Sequence, residues 1–447
     1  MATDYDAIFK AYDVRGTVGD QIDVDGVRAI GGAFARFAAS TGAGTVLVGR
    51  DMRPESEEFA AVFGDGAMDH GVNVVDVGLC ATDMLYYASG SLDLPGAVFT
   101  ASHNPAGYNG IKMCGPGAAP IGADTGLQAI KSMAIAGPDP AAARGTHTSR
   151  DMLSDYVAHV RSFVDTQALA PLLVVADTAN GMGGLVVPAV FEGLPLVLDH
   201  LYPELDGTFP NHPADPLQPE NLRDLQGRVL ELNAHVGMAF DGDADRMFLV
   251  DENSRPVSGS LTTAIIARTI LERDPGATII HNLICSKTVP EVIAEGGGTA
   301  VRTKVGHSII KQAMADTGAI FGGEHSGHYY FRDNYRADSG LIAALMVLEA
   351  LSHHPAGLSD LVSDLNRYAA SGELNTAVED TGRVIERVAA AYPSASQDRL
   401  DGLTVDLGDW WFNLRPSNTE PLLRLNLEAP TPEEVQHRVS EVQAFIA

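Results

Sequence analysis

Short apolar segments alternate with amphipathic helical segments through most of this chain, and this alternation strongly constrains the fold. Val24–Ser40 carries large apolar residues at helical spacing, and the apolar run Thr45–Val48 has the length of a buried strand. Glu55–Met68 is again helical, whereas Asn73–Val77 and Gly96–Thr100 are strand-like. Strands and helices that alternate in this way build βαβ units on a parallel or mixed sheet. The pattern therefore predicts an α/β fold.

The alternation restarts twice. After the Gly-, Pro- and Ala-rich stretch Gly137–Gly145, which we interpret as a linker, strands are predicted at Leu172–Ala176 and His235–Phe240. A turn at Asp251–Gly259 precedes a third cycle with predicted strands at Ala277–His281, Ala300–Thr303 and Ala319–Phe321. Three similar units in succession fit a chain of 447 residues, which is too long for a single hydrophobic core.

The last segment has a different pattern. Strand signals at Leu403–Leu407 and Leu422–Leu427 flank an Arg-containing loop, and a helix then begins with Thr431 as N-cap, Pro432 at the first position and Glu434 at the third. We therefore predict three similar α/β domains with mixed sheets and a smaller C-terminal α+β domain. The predicted domains are residues 1–142, 143–254, 255–366 and 367–447.

Composition excludes several functions. The net charge of −28 excludes bulk nucleic-acid binding, which needs a basic face, and disfavours anionic membranes. No apolar run approaches the ~18–20 residues that cross a bilayer, and the start has no signal-peptide pattern. The scattered cysteines argue for a reducing compartment and for small buried side chains rather than disulfides or zinc ligands: Cys80, Cys114 and Cys285. We expect a cytoplasmic protein.

Ser102 is the candidate nucleophile. It follows the strand-like run Gly96–Thr100 and precedes a turn rich in Gly and Asn, and ligands of α/β sheets bind at the carboxyl ends of strands. The neighbouring His103 suggests a Ser–His hydrolase, but no GxSxG elbow is present and an adjacent imidazole usually cannot reach its neighbour's hydroxyl. A serine that only caps a turn is the structural alternative.

The run Asp241-Gly-Asp-Ala-Asp-Arg246 follows a predicted strand and is the candidate metal site. An EF-hand loop would also have Asp at positions 1, 3 and 5, but its position 6 requires Gly and is Arg246 here, and the strand-like run Met247–Val250 follows. We favour a Mg²⁺ site over an EF-hand or a solvated acidic turn, with the ligands Asp241, Asp243 and Asp245. A serine and a metal together predict phosphoryl transfer through a phosphoserine, whose oxygen would be a further ligand.

Two further polar segments have the composition of ligand contacts. Arg415-Pro-Ser-Asn-Thr419 offers a guanidinium group, two hydroxyls and an amide, which suits a phosphate. Gly323-Glu-His-Ser-Gly-His328 offers a carboxylate and a hydroxyl between glycines, which suits paired sugar hydroxyls. Taken alone, a segment of this kind is more often an ordinary polar loop between strands.

Seven motifs together resemble the α-D-phosphohexomutase family, and within it the bacterial phosphomannomutase/phosphoglucomutase branch. They occur in the family's order and span nearly the whole chain: Phe9-Lys-Ala-Tyr-Asp-Val-Arg-Gly16, Gly49-Arg-Asp51, Thr100-Ala-Ser-His-Asn-Pro105 with Tyr108-Asn-Gly-Ile-Lys112, Asp241–Arg246, Thr303-Lys-Val-Gly-His307, Gly323–His328 and Arg415–Thr419. Two positions depart from the family's pattern without touching the expected chemistry. His325 stands where this branch often has Met, and Asp83 where the family usually has Pro.

The resemblance implies four domains around a central cleft and assigns roles to the motif residues. Ser102 would carry the phosphoryl group, and Mg²⁺ would bind that phosphate and the three aspartates. Sugar hydroxyls would be held by Glu324 and Ser326. The phosphate that does not react would be held by Arg415, Ser417, Asn418 and Thr419. Further substrate contacts would come from Tyr12, Arg246 and His307. The candidate general acids and bases are Lys112, Arg15 and His328.

The implied activity is a reversible 1-phosphate/6-phosphate mutase acting on mannose phosphates and also on glucose phosphates. Phospho-Ser102 would donate to the free hydroxyl and form a hexose 1,6-bisphosphate, which is also the activator. Alternatives are a phosphoglucomutase, a phosphoglucosamine mutase, a phosphosugar phosphatase or a non-catalytic phosphosugar sensor. The expected partners are small hexose phosphates, and we expect a monomer or weak dimer.

Overall fold

A computed structural model describes residues 3–137, 139–354, 356–417 and 422–446. These residues form four sheets that follow one another along the chain, and each sheet with its helices is called a unit below. The first three units combine parallel and antiparallel strands with helices, and the fourth is an antiparallel sheet with helices. The predicted fold class is therefore confirmed. The domain boundaries after residues 142, 254 and 366 stay a prediction.

The first unit has a seven-stranded sheet in the order β1-β5-β4-β2-β3-β7, with β6 beside β5. Strand β2 runs parallel to β3 and β4, whereas β5 runs antiparallel to β4 and β1. Its elements are α1 (Tyr5–Ile8), β1 (Val14–Thr17), α2 (Val24–Ser40), β2 (Thr45–Arg50), α3 (Ser56–Asp69), β3 (Asn73–Leu79), α4 (Thr82–Leu92), β4 (Gly96–Phe99), β5 (Tyr108–Gly115), β6 (Ala119–Pro120), α5 (Leu127–Ala136) and β7 (His147–Ser149). Strand β7 pairs with β3 and so extends this sheet beyond the predicted linker.

The second unit has a five-stranded sheet in the order β12-β11-β10-β8-β9. Strand β10 is parallel to β8 and antiparallel to β11, so the acidic run connects two adjacent strands. The elements are α6 (Leu153–Arg161), β8 (Leu172–Asp177), α7 (Gly183–Phe191), β9 (Leu196–Leu201), α8 (Arg223–Leu232), β10 (Val236–Phe240), β11 (Met247–Asp251) and β12 (Pro256–Val257).

The third unit has four strands in the order β14-β13-β15-β16. The prediction of a strand at Ala319–Phe321 was wrong by two residues, because β15 begins at Phe321, although the Ile320 amide already donates to the Thr278 carbonyl of β13 at 3.0 Å. The elements are α9 (Gly259–Arg273), β13 (Thr278–Asn282), α10 (Thr288–Glu295), β14 (Thr299–Thr303), α11 (His307–Thr317), β15 (Phe321–Gly323), β16 (Tyr329–Phe331), α12 (Gly340–Ser352) and α13 (Leu358–Ser363).

The fourth unit is an antiparallel five-stranded sheet in the order β17-β21-β20-β19-β18. Its elements are β17 (Ala369–Ala377), α14 (Thr381–Ala391), β18 (Ser396–Asp398), β19 (Leu403–Asp406), β20 (Trp411–Pro416), β21 (Leu422–Ala429) and α15 (Pro432–Ile446). The predicted N-cap of α15 is present, since the Glu434 amide donates to the Thr431 hydroxyl at 3.2 Å.

The largest hydrophobic core is shared by three units, whereas the fourth unit has a core of its own. The largest cluster of buried apolar residues runs through the first three units and includes Leu47, Val174 and Ile279. The fourth unit has its own cluster, built around Phe412 and Leu414. In the described part of the chain, no helix is both long and apolar enough to span a bilayer.

Candidate active site

A cleft of 700 Å³ lies where loops from all four units meet. The first unit contributes the segment before β1 and the turn after β4, and the second contributes the acidic loop. The third and fourth contribute loops at the carboxyl ends of β14 and β20. Of the residues singled out in the sequence, the following line the cleft: Tyr12, Arg15, Ser102, His103, Lys112, Arg246, His307, His328, Arg415 and Ser417.

Ser102 is buried in the turn after β4, with a left-handed φ of 48°. Its amide donates to the Thr100 hydroxyl at 3.0 Å, and its carbonyl accepts from the Arg53 guanidinium at 2.9 Å. Its hydroxyl donates to Asp241 Oδ2 at 2.9 Å, and the Ser102 Oγ atom in turn accepts from Arg246 Nη2 at 3.4 Å. The backbone contacts hold this oxygen in one place, beside the carboxylates of the next unit.

His103 Nδ1 lies 3.1 Å from Ser102 Oγ, so the expectation that an adjacent imidazole cannot reach back was wrong. The left-handed turn at Ser102 brings the two side chains to the same side. Burial and the nearby Arg246 and Arg15 lower the pKa of His103 to about 2. A group with that pKa is a poor general base near neutral pH, so the contact does not support a Ser–His hydrolase.

The three aspartates of the acidic loop are all buried, and one carboxylate oxygen from each lies within 4.8 Å of the others. Arg246 binds Asp241 through Nε at 2.9 Å, and its amide donates to the other oxygen at 3.1 Å. Lys112 Nζ donates to Asp243 at 2.7 Å and to Asp245 at 2.6 Å. The ammonium and guanidinium groups thus offset part of the charge of the loop.

The donor set fits a divalent cation. Within the described residues, Asp243 Oδ1 and Asp245 Oδ1 are buried without a hydrogen-bond partner. Burial raises the pKa of Asp241, and the neighbouring carboxylates add to this effect while Arg246 opposes it. Lys112 outweighs the burial of Asp243 and holds the pKa of that carboxyl well below its usual range. Free, buried carboxylate oxygens close to one another are ligands that Mg²⁺ prefers.

Two histidines of the third unit share one buried carboxylate. His328 Nδ1 lies 2.9 Å from Asp338 Oδ2, and His307 Nδ1 lies 3.4 Å from the same oxygen. Burial lowers the pKa of His328, but the bond to Asp338 outweighs it and raises the pKa above its usual value. Burial and the proximity of His328 lower the pKa of His307 to about 4. His328 is therefore the better proton carrier near neutral pH.

The predicted sugar loop lies apart from the lining of the cleft. Glu324 is buried, and its carboxylate accepts bonds from the Tyr330 hydroxyl at 2.9 Å and Asn282 Nδ2 at 3.1 Å. The Gly306 amide donates to it at 3.3 Å. Ser326 is half-buried in the same loop. Neither Glu324 nor Ser326 contributes to the cleft surface in this arrangement.

The predicted phosphate loop is described in part. Arg415 at the end of β20 donates from Nη2 to Glu373 at 2.8 Å, and Arg424 of β21 binds the same carboxylate at 3.2 Å. Both guanidinium groups line the cleft. Asn418 and Thr419 lie outside the described residues. On the opposite wall, Arg15 Nη1 donates to Asn104 Oδ1 at 2.8 Å and to the Ala101 carbonyl at 3.2 Å.

The sequence did not indicate the residues that hydrogen-bond to the site residues and hold them in place. Asp338 carries the two histidines, and Thr82 donates its hydroxyl to Asp243 Oδ2 at 2.6 Å. Arg53 fixes the serine turn through four carbonyl groups, including that of Ser102. The Gly49-Arg-Asp51 motif just before Arg53 was a partial signal, whereas nothing local to Thr82 or Asp338 marks a partner in another unit.

A buried serine hydroxyl, an acidic loop able to hold a metal and a cleft lined with guanidinium groups define a phosphoryl-transfer enzyme. Four family models cover nearly the whole chain: phosphoglucomutase/phosphomannomutase alpha/beta/alpha domain I at residues 6–137, domain II at 154–255, domain III at 258–368 and the C-terminal domain at 373–444. The chain belongs to the phosphoglucomutase/phosphomannomutase family, whose members are phosphotransferase isomerases.

Individual relatives agree with this assignment. A phosphomannomutase of Salmonella montevideo is 39% identical over 433 residues, which is 94% of each chain. A phosphomannomutase of Escherichia coli K12 is 38% identical with the same coverage. Among solved structures, a phosphoglucomutase/phosphomannomutase family protein of Burkholderia thailandensis has a TM-score of 0.90 and 32% identity, covering 99% of this chain and 97% of its own.

Proposed function

We propose that this chain interconverts mannose 6-phosphate and mannose 1-phosphate, and also accepts glucose phosphates, through a phosphoserine at Ser102. The observation that carries the proposal is the 2.9 Å contact between the Ser102 hydroxyl and the metal-binding loop inside a cleft lined by Arg and Lys. The names of the relatives at 38–39% identity support mannose as the main sugar.

The phosphoryl group would pass from Ser102 Oγ to the free hydroxyl of the bound hexose phosphate, which loses its proton. The P–O bond to Ser102 breaks as the bond to the sugar oxygen forms, and a hexose 1,6-bisphosphate results. This intermediate then reorients in the cleft, and its other phosphoryl group is transferred to Ser102. Ser102 Oγ is thus the leaving group of the first half-reaction and the nucleophile of the second, so the phosphoserine is regenerated in each cycle and the sequence can run in either direction.

Residues that line the cleft and carboxylates buried directly behind them fit the separate tasks. Asp241, Asp243 and Asp245 would hold Mg²⁺ together with a phosphate oxygen, and the cation would withdraw charge from the transferring phosphoryl group. His328 would exchange the proton of the sugar hydroxyl, since Asp338 holds its ring in place and raises its pKa. Lys112 and Arg15 are further candidates for proton transfer and stabilise negative charge beside the serine.

Sugar and distal phosphate would be held by loops of the third and fourth units. Arg415, Ser417, Asn418 and Thr419 would bind the phosphate that does not react, with Tyr12, Arg246 and His307 as further contacts. Glu324 and Ser326 would bind sugar hydroxyls after the loop moves towards the cleft. The fourth unit has its own core, so it can close as one body and exclude water from the phosphoserine.

We propose a cytoplasmic monomer or weak dimer whose partners are small hexose phosphates. All three cysteines are free and buried, as suits a reducing compartment. The net charge of −28 opposes binding to nucleic acid or to anionic membranes. Positive side chains concentrated in the cleft of an acidic protein would focus attraction for phosphates there.

The test is a coupled assay with mannose 1-phosphate and with glucose 1-phosphate, each with a catalytic amount of glucose 1,6-bisphosphate. Ser102→Ala should lower turnover by at least about 10³-fold, because it removes the phosphoryl carrier. Asp243→Asn should lower turnover by about 10²-fold and weaken its Mg²⁺ dependence. Ser40→Ala and Asp20→Asn, at exposed positions outside the cleft, should retain wild-type turnover.

Several outcomes would contradict the proposal. Near-wild-type turnover in Ser102→Ala would remove the phosphoserine mechanism. Release of inorganic phosphate faster than isomerisation would indicate a phosphosugar phosphatase. If glucosamine 1-phosphate, tested in the same way, has a kcat/KM equal to or higher than that of mannose 1-phosphate, the enzyme is a phosphoglucosamine mutase.

A further inference from the structure

Asp83 is a buried carboxyl that no step of the mechanism uses. It lies in the first turn of α4, in the first unit, and its side chain is fully buried. One oxygen, Oδ2, accepts two hydrogen bonds of 2.6 Å, from the Tyr156 hydroxyl of the second unit and from the Ser339 hydroxyl of the third. This carboxyl therefore joins three units at a single atom.

Two chain neighbours of this junction contact residues of the candidate active site. Thr82, next to Asp83, donates its hydroxyl to Asp243 Oδ2 at 2.6 Å and its amide to the Asp243 carbonyl at 3.2 Å. Asp338, next to Ser339, accepts from His328 at 2.9 Å. The hydrogen bond from Ser339 to Asp83 therefore links the start of α4, which contacts the acidic loop, to the segment that precedes α12, which contacts His328.

The packing around the junction leaves little room for adjustment. Ser339 caps α12 by accepting from the Ile342 amide at 3.2 Å, so its hydroxyl fixes where this helix begins. At Gly340, a Cβ atom would lie 3.0 Å from the carbonyl oxygens of Ala244 and Arg246 in the metal loop. The start of α12 therefore packs directly on the loop that carries the aspartates.

The chemistry of the junction also shows that it is costly to keep. Asp83 Oδ1 has no hydrogen-bond partner in the described part of the chain. Burial raises the pKa of Asp83 to about 7, although the Ser339 and Tyr156 hydroxyls favour the ionised form. A buried carboxyl with one unpaired oxygen destabilises a fold. A role in holding the active site together would offset this cost for the protein.

We propose that Asp83 is a positioning residue that keeps the metal loop and the His328–Asp338 pair in register across the three units. It acts through Thr82 on one side and through Ser339 on the other, and does not touch substrate. The inference rests on the mutase reaction proposed above for its catalytic readout, but the metal loop gives it a second readout that needs no substrate.

The test compares Asp83→Ala with Tyr156→Phe. Asp83→Ala releases both hydroxyls and should lower kcat by about 10-fold while KM changes by less than about 3-fold, the size of effect known for residues that support metal ligands. Tyr156→Phe removes an equally short bond to the same carboxylate on the side away from the site, and should keep kcat within about 3-fold. Urea unfolding of both variants reports their stability separately.

Two other substitutions keep the test informative. Asp83→Asn retains an oxygen that can accept both hydroxyls and should restore kcat to within about 3-fold of wild type. If Asp83→Ala does not fold, Asp83→Ser takes its place, since its hydroxyl is too short to reach both partners and kcat should again fall about 10-fold. The Mn²⁺ dissociation constant, measured by electron paramagnetic resonance, should rise about 10-fold in Asp83→Ala and stay unchanged in Tyr156→Phe.

Failure of this inference is distinguishable from failure of the proposed function. If the wild type turns over and Asp83→Ala keeps its kcat, or if Tyr156→Phe loses as much kcat, Asp83 is only a structural contact. If the wild type does not isomerise hexose phosphates, the proposed function fails, and Mn²⁺ binding decides on Asp83 alone. An equal Mn²⁺ affinity in Asp83→Ala and wild type would then overturn the inference.

Discussion

Ser102 has a backbone conformation that is unfavourable for a residue with a side chain. Its φ of 48° lies in the left-handed region, which costs an L-residue roughly 1–2 kcal/mol relative to glycine. Arg53 and Thr100 hold the turn in this conformation from both sides. This conformation places the hydroxyl against Asp241, so the fold holds the proposed nucleophile at a cost in stability.

Replacing Ser102 by Gly and by Ala separates activity from strain. Both variants lose the hydroxyl and should lose mutase turnover. The free energy of unfolding in urea should nevertheless be higher for Ser102→Gly than for Ser102→Ala, by roughly 0.5 kcal/mol. The reason is that relief of the left-handed strain outweighs the extra chain entropy of glycine. At an ordinary position glycine is the less stable of the two by roughly 0.5–1 kcal/mol. If Ser102→Gly proves less stable than Ser102→Ala, the turn at residue 102 is not strained.

The sequence indicates the reacting residues better than it indicates the residues that hold them. Ser102 follows a strand, and the three aspartates alternate in one loop, so local spacing is enough to suggest a nucleophile and a metal site. Asp83 and Asp338 act on partners in other units, and such contacts depend on how the sheets pack. Asp83 was noticed only because it departs from the family's usual Pro.

Elements with a strong periodic pattern were predicted closely. Helix α2 has the predicted bounds Val24–Ser40, and β4 differs from its prediction by one residue. Strand β7 was not predicted, since its three exposed residues have no apolar pattern and pair only because β3 has a free edge. The predicted bounds of β15 were displaced, because this strand has only three residues, two of them glycines, and so gives little periodicity.

Strand β13 contains a buried histidine that should make the third unit sensitive to acid. Burial lowers the pKa of His281 to about 4, whereas an unfolded chain has a His pKa near 6.5. The unfolded state therefore binds more protons between pH 6.5 and pH 4, and stability is lost as the pH falls through this window. At pH 4 this effect of His281 lowers the free energy of unfolding by about 3 kcal/mol.

His281→Gln removes the titrating group and should flatten this loss. We expect the free energy of unfolding in urea to fall less steeply for the variant than for wild type between pH 7 and pH 4.5. The difference should amount to about 2–3 kcal/mol across the window. The same substitution at the exposed His437 is the control and should follow wild type. Parallel curves for His281→Gln and wild type would show that this imidazole is not buried as described.

At the scale of the whole molecule, one core joins the first three units and a second core belongs to the fourth. Polar contacts connect the two bodies, including Lys287 Nζ to Asp406 at 2.9 Å and the Lys287 amide to Glu428 at 2.9 Å. This division is consistent with the closure proposed above, in which the fourth unit moves relative to the units that contain Ser102 and the acidic loop. The division was visible in the sequence only as a change of pattern near residue 367.

The net charge of −28 gives the whole molecule a predictable response to salt. Like charges repel one another in the compact state, and the screening length falls from about 10 Å at 0.1 M salt to about 3 Å at 1 M. Salt also weakens exposed ion pairs, such as that between Arg367 and Glu295, but each is worth only about 0–1 kcal/mol. Relief of the excess negative charge should therefore dominate. The urea midpoint should rise from 0.05 M to 0.5 M NaCl, and a falling midpoint would show that the ion pairs contribute more than the repulsion they offset.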